Sequence, residues 1–395
     1  MIETRFKKTE IGVIPEDWVL KSIASIASIF GRIGYRGYTV SDLVKEGFGA
    51  ITLSPTNIRE NRMVFDKCTY ISWEKYEESP EIKIQNGDIL MVKTGSTFGK
   101  SAFVENLPCA ATINPQFVVF KNIKCNSRLL ALLIMQQSFQ QQINSITSGG
   151  AIPTMSQAKI LTCKLSLPAS CDEQNRIAAA FSDIDALISD LEALIEKKQN
   201  IKQGVTQELL SGKRRLTGFT GEWESIPLGR ILSYEQPTNY LVHSENYSDA
   251  GIPVLTAGKT FILGYTNESD GIYDKVPVII FDDFVTESKF VNFPFKAKSS
   301  AMKMLQVRDN NYNLRFVFEM MQTISFYAPE HKRYWISRYS KIRISVPDIE
   351  EQNAIAKVLT EMDSEINALQ ARLDKYKQLK LGMMQQLLTG RIRLK

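Results

Sequence analysis

Apolar residues recur at steps of four, three, four, three and four along two segments of the chain. They are Ile177, Phe181, Ile184, Ile188, Leu191 and Ile195, then Ile355, Leu359, Met362, Ile366, Leu369 and Leu373. A heptad spacing keeps one side of a helix apolar along its whole length and turns that side toward another helix. Each segment therefore predicts one long helix, and about 40 residues at ~1.5 Å each make a rod of roughly 60 Å. Elsewhere the pattern changes to short β-like runs broken by Gly, Pro and Asn: "GDILMVKTG", "NPQFVVF", "VPVIIFDDF" and "KIRISV". Helical patches at 127–146 and 314–328 accompany them, so residues 27–165 and 232–345 each predict a mixed α/β globule.

The two helical segments are copies of one another. "EQNRIAAAFSDIDALISDLEALIEKKQNIKQGVTQELLSGKRRL" (173–216) and "EQNAIAKVLTEMDSEINALQARLDKYKQLKLGMMQQLLTGRIRL" (351–394) align without a gap at an offset of 178, with 18 identities in 44 positions. Ser170 with Glu173, and Asp348 with Glu351, predict capping boxes just after Pro168 and Pro347. Gly212 and Gly390 predict the C-terminal stops, and the basic residues after them (Lys213, Arg214, Arg215; Arg391, Arg393) suit a helix C-terminus. A shorter repeat relates "PEDWVLKSIASI" around Trp18 to "TGEWESIPLGRIL" around Trp223, at an offset of 205. The order is therefore cyclic: joining the last residue to the first would give two equivalent units, which implies a pseudo-two-fold with antiparallel long helices. A plain helical hairpin between unrelated domains would leave the tryptophan repeat unexplained. The expected fold class is α+β, divided as lead-in and first globule 1–169, first helix 170–215, second globule 216–347 and second helix 348–395.

Composition narrows the class. The 395 residues, 44% hydrophobic and 23% charged, suit a multidomain globular protein. A net charge of +5 announces no basic tail but allows local basic patches. Five cysteines without a C-x-x-C pair, and two histidines, argue against a zinc site or a disulfide framework. With no apolar run approaching a membrane span and no apolar leader, a soluble cytoplasmic protein without membrane contact is expected.

Two variable globules, two long helices opening with "EQN", a tryptophan lead-in and cyclic order resemble the specificity subunit of a type I restriction–modification system. The similarity covers nearly the whole chain. "GDILMVKTGSTFGKSAF" resembles a segment of that family's target-recognition domains, and "YEQPTNYLV", "IPVLTAGKTFILGYTN" and "VIIFDDF" resemble one type of such domain. The resemblance implies that each globule reads one half of a bipartite site on double-stranded DNA. It implies that the helical pair sets the spacing and docks two methyltransferase subunits, with motor/endonuclease subunits joining through the complex. It also implies a chain without catalysis of its own. The alternatives are a coiled-coil scaffold linking two protein-binding modules and a self-sufficient enzyme.

Several motifs come close to catalytic chemistry. "TGSTFGKS" falls one residue short of a P-loop, with three residues between Gly95 and Gly99 where four are needed, and no helix is predicted after it. Its Lys93, Thr94, Ser96, Thr97 and Lys100 suit DNA phosphates or base edges instead. Asp283, Glu287 and Lys289 echo a nuclease D…E-x-K, but their spacing disfavours convergence on one metal ion. "NPQF" (114–117) reads as a strand start. Basic and aromatic residues interleave around Arg32, Tyr35 and Arg36, and around Lys332, Arg333 and Trp335. These, with Thr256, Lys259, Thr260, Lys296, Lys298 and Ser299, are the remaining DNA-contact candidates. Ile177, Phe181, Ile188, Leu359 and Ile366 are the partner-binding helix candidates. Gly204 and Gly382, at matched helix positions, join them as points of close approach of a partner helix or of a local bend. No catalytic residue, metal ligand or cofactor is assigned.

Overall fold

The two heptad segments are continuous helices, Cys171–Leu210 and Ile349–Leu387, in a computed structural model that describes residues 5–146, 154–256, 260–326 and 333–395. Each stops ahead of a glycine held at φ +68°, Gly212 and Gly390, in the left-handed region that glycine enters without steric cost. The chain forms two compact units, Met1–Asp190 with Leu373–Lys395, and Leu191–Arg372. This partition differs from four consecutive segments because it gives half of each long helix to each unit. The physical reason is that two antiparallel helix halves packed side by side share more surface than the two halves of one rod.

In the first unit, Trp18–Ser22 pairs antiparallel with Lys164–Pro168, so the lead-in strand lies beside the strand that feeds the first long helix. The globule between them holds a six-stranded sheet in the order Ser28–Phe30, Phe117–Lys121, Ile89–Val92, Ser101–Phe103, Arg62–Met63, Ile58–Arg59. A four-stranded sheet runs Ala111–Ile113, Gly49–Leu53, Thr69–Ser72, Leu43–Val44. All nine residues of Ile89–Val92 and Gly49–Leu53 are buried, and all but Thr52 are non-polar. Ile51, Leu53, Leu90, Val92, Phe117 and Val119 form one core. The predicted helix 127–146 is two helices, Ser127–Ile134 and Gln137–Ile146.

The second unit repeats the frame. Glu224–Pro227 pairs antiparallel with Arg343–Val346, the strand feeding the second long helix. Its globule has a four-stranded sheet, Leu232–Glu235, Met302–Val307, Val278–Asp282, Ser288–Val291, and a three-stranded one, Ile262–Thr266, Ile252–Leu255, Lys296–Ala297. The helix Leu314–Gln322 ends six residues earlier than its apolar pattern suggested. Ile355 and Leu359 of the second long helix share a core with Leu209, Leu210, Phe316 and Trp335. Among the described residues no helix is long and apolar enough to cross a membrane.

Within each unit the long-helix segments run antiparallel. In the first, Glu173 meets Arg393 and Asp185 meets Lys380; in the second, Lys198 meets Glu365 and Lys202 meets Asp363. Ile177, Phe181 and Ile188 are buried in the first unit.

Candidate nucleic-acid interface

The loop that looked like a nucleotide cradle joins two antiparallel strands, Ile89–Val92 and Ser101–Phe103. A strand follows Lys100, so the loop does not run into a helix as a phosphate-binding loop must, and the P-loop reading fails on geometry. The loop is braced from below. Gly99 sits at φ +79°, and a Cβ there would come within 2.8 Å of Gln140 Oε1. Gln140 Nε2 donates to the Gly99 carbonyl at 3.2 Å. Lys93 accepts the Met155 N–H at 3.0 Å, and Thr94 and Thr154 hydroxyls lie 3.0 Å apart. Lys100 Nζ donates to the Ile58 carbonyl at 2.8 Å. Lys93 is half-buried, and burial pulls its amine below the usual lysine range. Ser96 and Thr97 are exposed at the tip. The result is a rigid loop with two hydroxyls outward and two lysines at its base.

The other first-unit candidates divide. Arg32 is 4% exposed, and its guanidinium donates to the Ile113 carbonyl at 3.0 Å and to Thr112 Oγ1 at 3.1 Å. Its expected DNA contact is corrected: it is a buried strut, because these acceptors consume its fork of donors. Arg36 is half-buried and lies 3.7 Å from Glu81. The side chain of Tyr35, with Lys259 and Lys332, lies outside the described residues.

In the second unit Lys296 is wholly buried, with Nζ 2.5 Å from Glu268 and 2.9 Å from the Asp270 carbonyl. DNA contact by Lys296 is corrected on that ground. The same ion pair lowers the Glu268 carboxyl to about 2. Glu268, Asp270 and His243 could together face a metal ion, but the Lys296 ammonium already supplies the cation there. Trp335 is 2% exposed, its ring 5.1 Å from that of Phe281, so it belongs to the core and its DNA role is corrected too. Lys298 is half-buried and paired with Glu245 at 2.5 Å. Ser299 accepts the Ala301 N–H at 3.1 Å, and the Thr256 N–H donates to Phe261 at 3.0 Å. Thr260 and Arg333 are exposed. The nuclease-like Asp283 is buried against Lys303 at 3.1 Å and accepts the Trp335 N–H at 2.8 Å, which removes it from any metal chemistry.

Burial also corrects most of the partner-binding helix residues. Ile177, Phe181, Ile188 and Leu359 have at most 1% exposure and are spent on the chain's own packing. Ile366 is half-buried. Gly204 and Gly382 are exposed, and an added Cβ would meet nothing within 4 Å at either. Each lies three residues, hence nearly one turn, after an exposed apolar side chain, Ile201 at 45% and Leu379 at 50%.

The "EQN" motif has a different purpose from the capping box. Glu173 is buried and takes Arg393 in a two-bond pair, 2.6 and 2.7 Å; Glu351 takes Arg215 at 2.6 and 2.6 Å. Only the backbone half of the second box forms, where Asp348 accepts the Glu351 N–H at 2.8 Å. The arginines after the stop glycines thus close on the opposite helix's start, which corrects their assignment to helix C-termini. Each also lies over a repeated tryptophan, Arg393 5.7 Å from Trp18 and Arg215 5.6 Å from Trp223. The glutamates hold both arginines above their ordinary range. Gln174 donates to Pro168 at 2.8 Å and accepts from the Asn126 N–H at 3.0 Å; Gln352 donates to Pro347 at 2.9 Å and accepts from Asn313 at 2.9 Å. Asn175 and Asn353 complete the motif by accepting from Asn126 Nδ2 at 2.9 Å and Asn313 Nδ2 at 2.7 Å. Each of these asparagines also caps the helix at the base of its globule. The motif therefore fastens three things at once: lead-in, opposing helix and globule.

The model of the type I restriction modification DNA specificity domain matches this chain twice, at residues 15–203 and 220–378. The chain belongs to that family. The specificity subunit of the type I restriction enzyme EcoR124I/EcoR124II from Escherichia coli is 51% identical to it over 170 residues, 41% of this chain and 42% of that one. The match thus spans less than half of that relative's length. A Methanocaldococcus jannaschii protein, proposed to be the type I restriction enzyme MjaX specificity subunit, is 25% identical across all of this chain and 98% of its own. The fold is that of the type I S subunit from M. genitalium, with TM-score 0.67 at 14% identity over 94% of this chain and 96% of that one. A second solved chain, reported under complex assembly and conformational transition of the type I R-M system, aligns with TM-score 0.51 at 14% identity, covering 96% of this chain and 99% of its own.

Proposed function

We propose that this chain is the DNA-specificity subunit of a type I restriction–modification complex, each globule reading one half of a bipartite site on double-stranded DNA. The observation that carries this reading is the repeated frame. The lead-in strand, "EQN" motif and arginine closure are the same in both units, while the two globules differ in sheet order and sequence. Identical mounts bearing dissimilar heads suit a protein that must present two different readers. The braced loop at 94–100 is the first head's leading contact, with Ser96 and Thr97 toward base edges or phosphates and Lys93 and Lys100 behind them. On the second head, Thr260 and Arg333 are the exposed candidates, with Thr256, Lys298 and Ser299 beside them.

The long helices carry the spacing and dock two methyltransferase subunits, and motor/endonuclease subunits join through the complex. Exposed Ile201 with Gly204, and Leu379 with Gly382, are the docking points: an apolar knob beside a gap where a partner helix can come close. Methylation and cleavage belong to those partners, and this chain contributes no catalysis. The relatives named as specificity subunits support this, as does the sealing of Asp283 into an ion pair.

The test is binding of the assembled methyltransferase to duplexes carrying its target. Scrambling either half-site should abolish specific binding. Replacing Ser96 and Thr97 with alanine should weaken recognition of one half only. Full specific binding with one half scrambled would refute two-headed reading.

A further inference from the structure

One contact set is not explained by building a stable pair of helices. In the first unit Asp185, on the first long helix, lies 2.7 Å from Lys380 of the second, 3.2 Å from Arg62 and 3.9 Å from Arg128 of the globule. In the second unit Asp363, on the second long helix, lies 2.5 Å from Lys202 of the first and 2.5 Å from Arg315 of the globule. Asp185 and Asp363 are equivalent in the helix repeat, as are Lys202 and Lys380. Arg128 and Arg315 each stand two residues after the capping asparagine that the "EQN" motif grips. The helix-to-globule polarity is thus the same in both units although the globules differ in sheet order and share little sequence.

Six of these seven side chains are between 18 and 28% exposed and Arg62 is 35% exposed, which limits solvent screening. In each seat one carboxylate neutralises a cation from the globule and a cation from the opposite helix. Each globule arginine has a second carboxylate in its own globule, Arg128 with Glu105 at 2.6 Å and Arg315 with Glu319. Without the aspartate the arginine therefore stays paired, the lysine loses its partner, and the tie between globule and opposite helix is cut. The asparagine–glutamine–asparagine grip holds the globule at the start of its helix. The aspartate is the second point, roughly three turns further along. The second globule also shares an apolar core with its helices, and on that core the two polar points set its pitch.

We propose that Asp185 and Asp363 are positioning residues that set the angle at which each globule sits on its own helical segments, and through it the spacing at which the half-sites are read. This rests on the bipartite reading above. It predicts that the seats govern spacer stringency and leave base preference untouched, because neither aspartate belongs to the candidate DNA-contact surface.

The experiment maps adenine methylation in cells that hold no other adenine methyltransferase and express the full complex with wild-type chain, Asp185→Asn, Asp363→Asn, or both. Thermal melting of each purified complex runs alongside. The expected result is unchanged half-sites with methylation spreading to spacers about one base pair longer or shorter, since a base pair rises only ~3.4 Å. Asp363→Glu should restore the single spacer. Folded variants that keep the wild-type spacer, or that lose stability with no spread, would overturn the proposal and leave the seats as ordinary ion pairs. If the asparagine variants fail to fold, Lys202→Met and Lys380→Met, which each remove one leg, decide by the same readout. A wild-type complex that yields no bipartite motif would overturn the underlying functional reading instead, so the two failures are distinct.

Discussion

Lys296 and Lys303 have side chains 0 and 2% exposed, and both are held by carboxylates of the second globule. A buried charge that loses its partner is far costlier than the pair is stabilising, because the survivor stays desolvated. Lys303→Met leaves Asp283 with the Trp335 N–H but no cation, and unfolding in urea should show a loss of about 3–5 kcal/mol; a loss near zero would mean that water or another cation already serves Asp283. The Lys296–Glu268 pair makes a pH prediction. Glu268 falls from an ordinary 4.5 to about 2 in the folded chain, so the unfolded chain takes up the proton first as pH falls. Stability from this pair is complete above pH ~4.5 and drains away as pH falls toward 2. Denaturation midpoints between pH 6 and 3 should slope downward in the wild type and flatten in Lys296→Met. Burial similarly pushes the Cys163 thiol up to about 11, so iodoacetamide at neutral pH should spare it in the native chain and modify exposed Cys109 and Cys171. At this scale the sequence was least legible. Residue type and neighbours made Arg32, Lys296 and Trp335 good DNA-contact candidates, yet each is buried by chain segments far away in sequence, Arg32 against Thr112 and Ile113, Trp335 against Phe281.

The long helices were legible because heptad periodicity is a local signal that tertiary context rarely overrides. Their exact use was less so. A glutamate three residues after a capping residue is the mark of a capping box, but Glu173 and Glu351 bond arginines 220 and 136 positions away. The mount was within reach: Asn126-Ser127-Arg128 and Asn313-Leu314-Arg315 repeat an N-x-R pattern ahead of each "EQN". What hid it was the unequal separation, 48 residues from Asn126 to Gln174 against 39 from Asn313 to Gln352. Glu351→Gln removes one charge from a closure whose carboxylate is fully buried and also accepts the Trp223 indole N–H at 3.2 Å. The second unit should melt at lower temperature, while the equivalent Glu173→Gln should affect the first. Gly204→Ala and Gly382→Ala make the opposite case. Among the described residues nothing packs where a Cβ would stand at either glycine, so each alanine should stabilise the isolated chain by up to ~1 kcal/mol. Binding of the methyltransferase should weaken at the same time, and an unchanged affinity would rule out close approach at these points.

At the scale of the whole molecule, duplication is the feature from which function follows. One frame occurs twice in a cyclic order, and each copy carries a different globule. The frame was legible from the repeats at offsets 178 and 205, since internal similarity needs no structure to detect. The heads were not, because a reading surface is made of side chains brought together by sheet order and loop bracing. On the proposed function, the same duplication explains how a single chain would specify a target in two separated halves. The measurement that tests this most directly is a single-molecule methylome of cells expressing the chain with its methyltransferase partner, against the partner alone. The account predicts a new modified-adenine motif made of two short, unrelated halves separated by one fixed unspecified spacer. A chain-dependent motif that is continuous, or confined to one half, would contradict it.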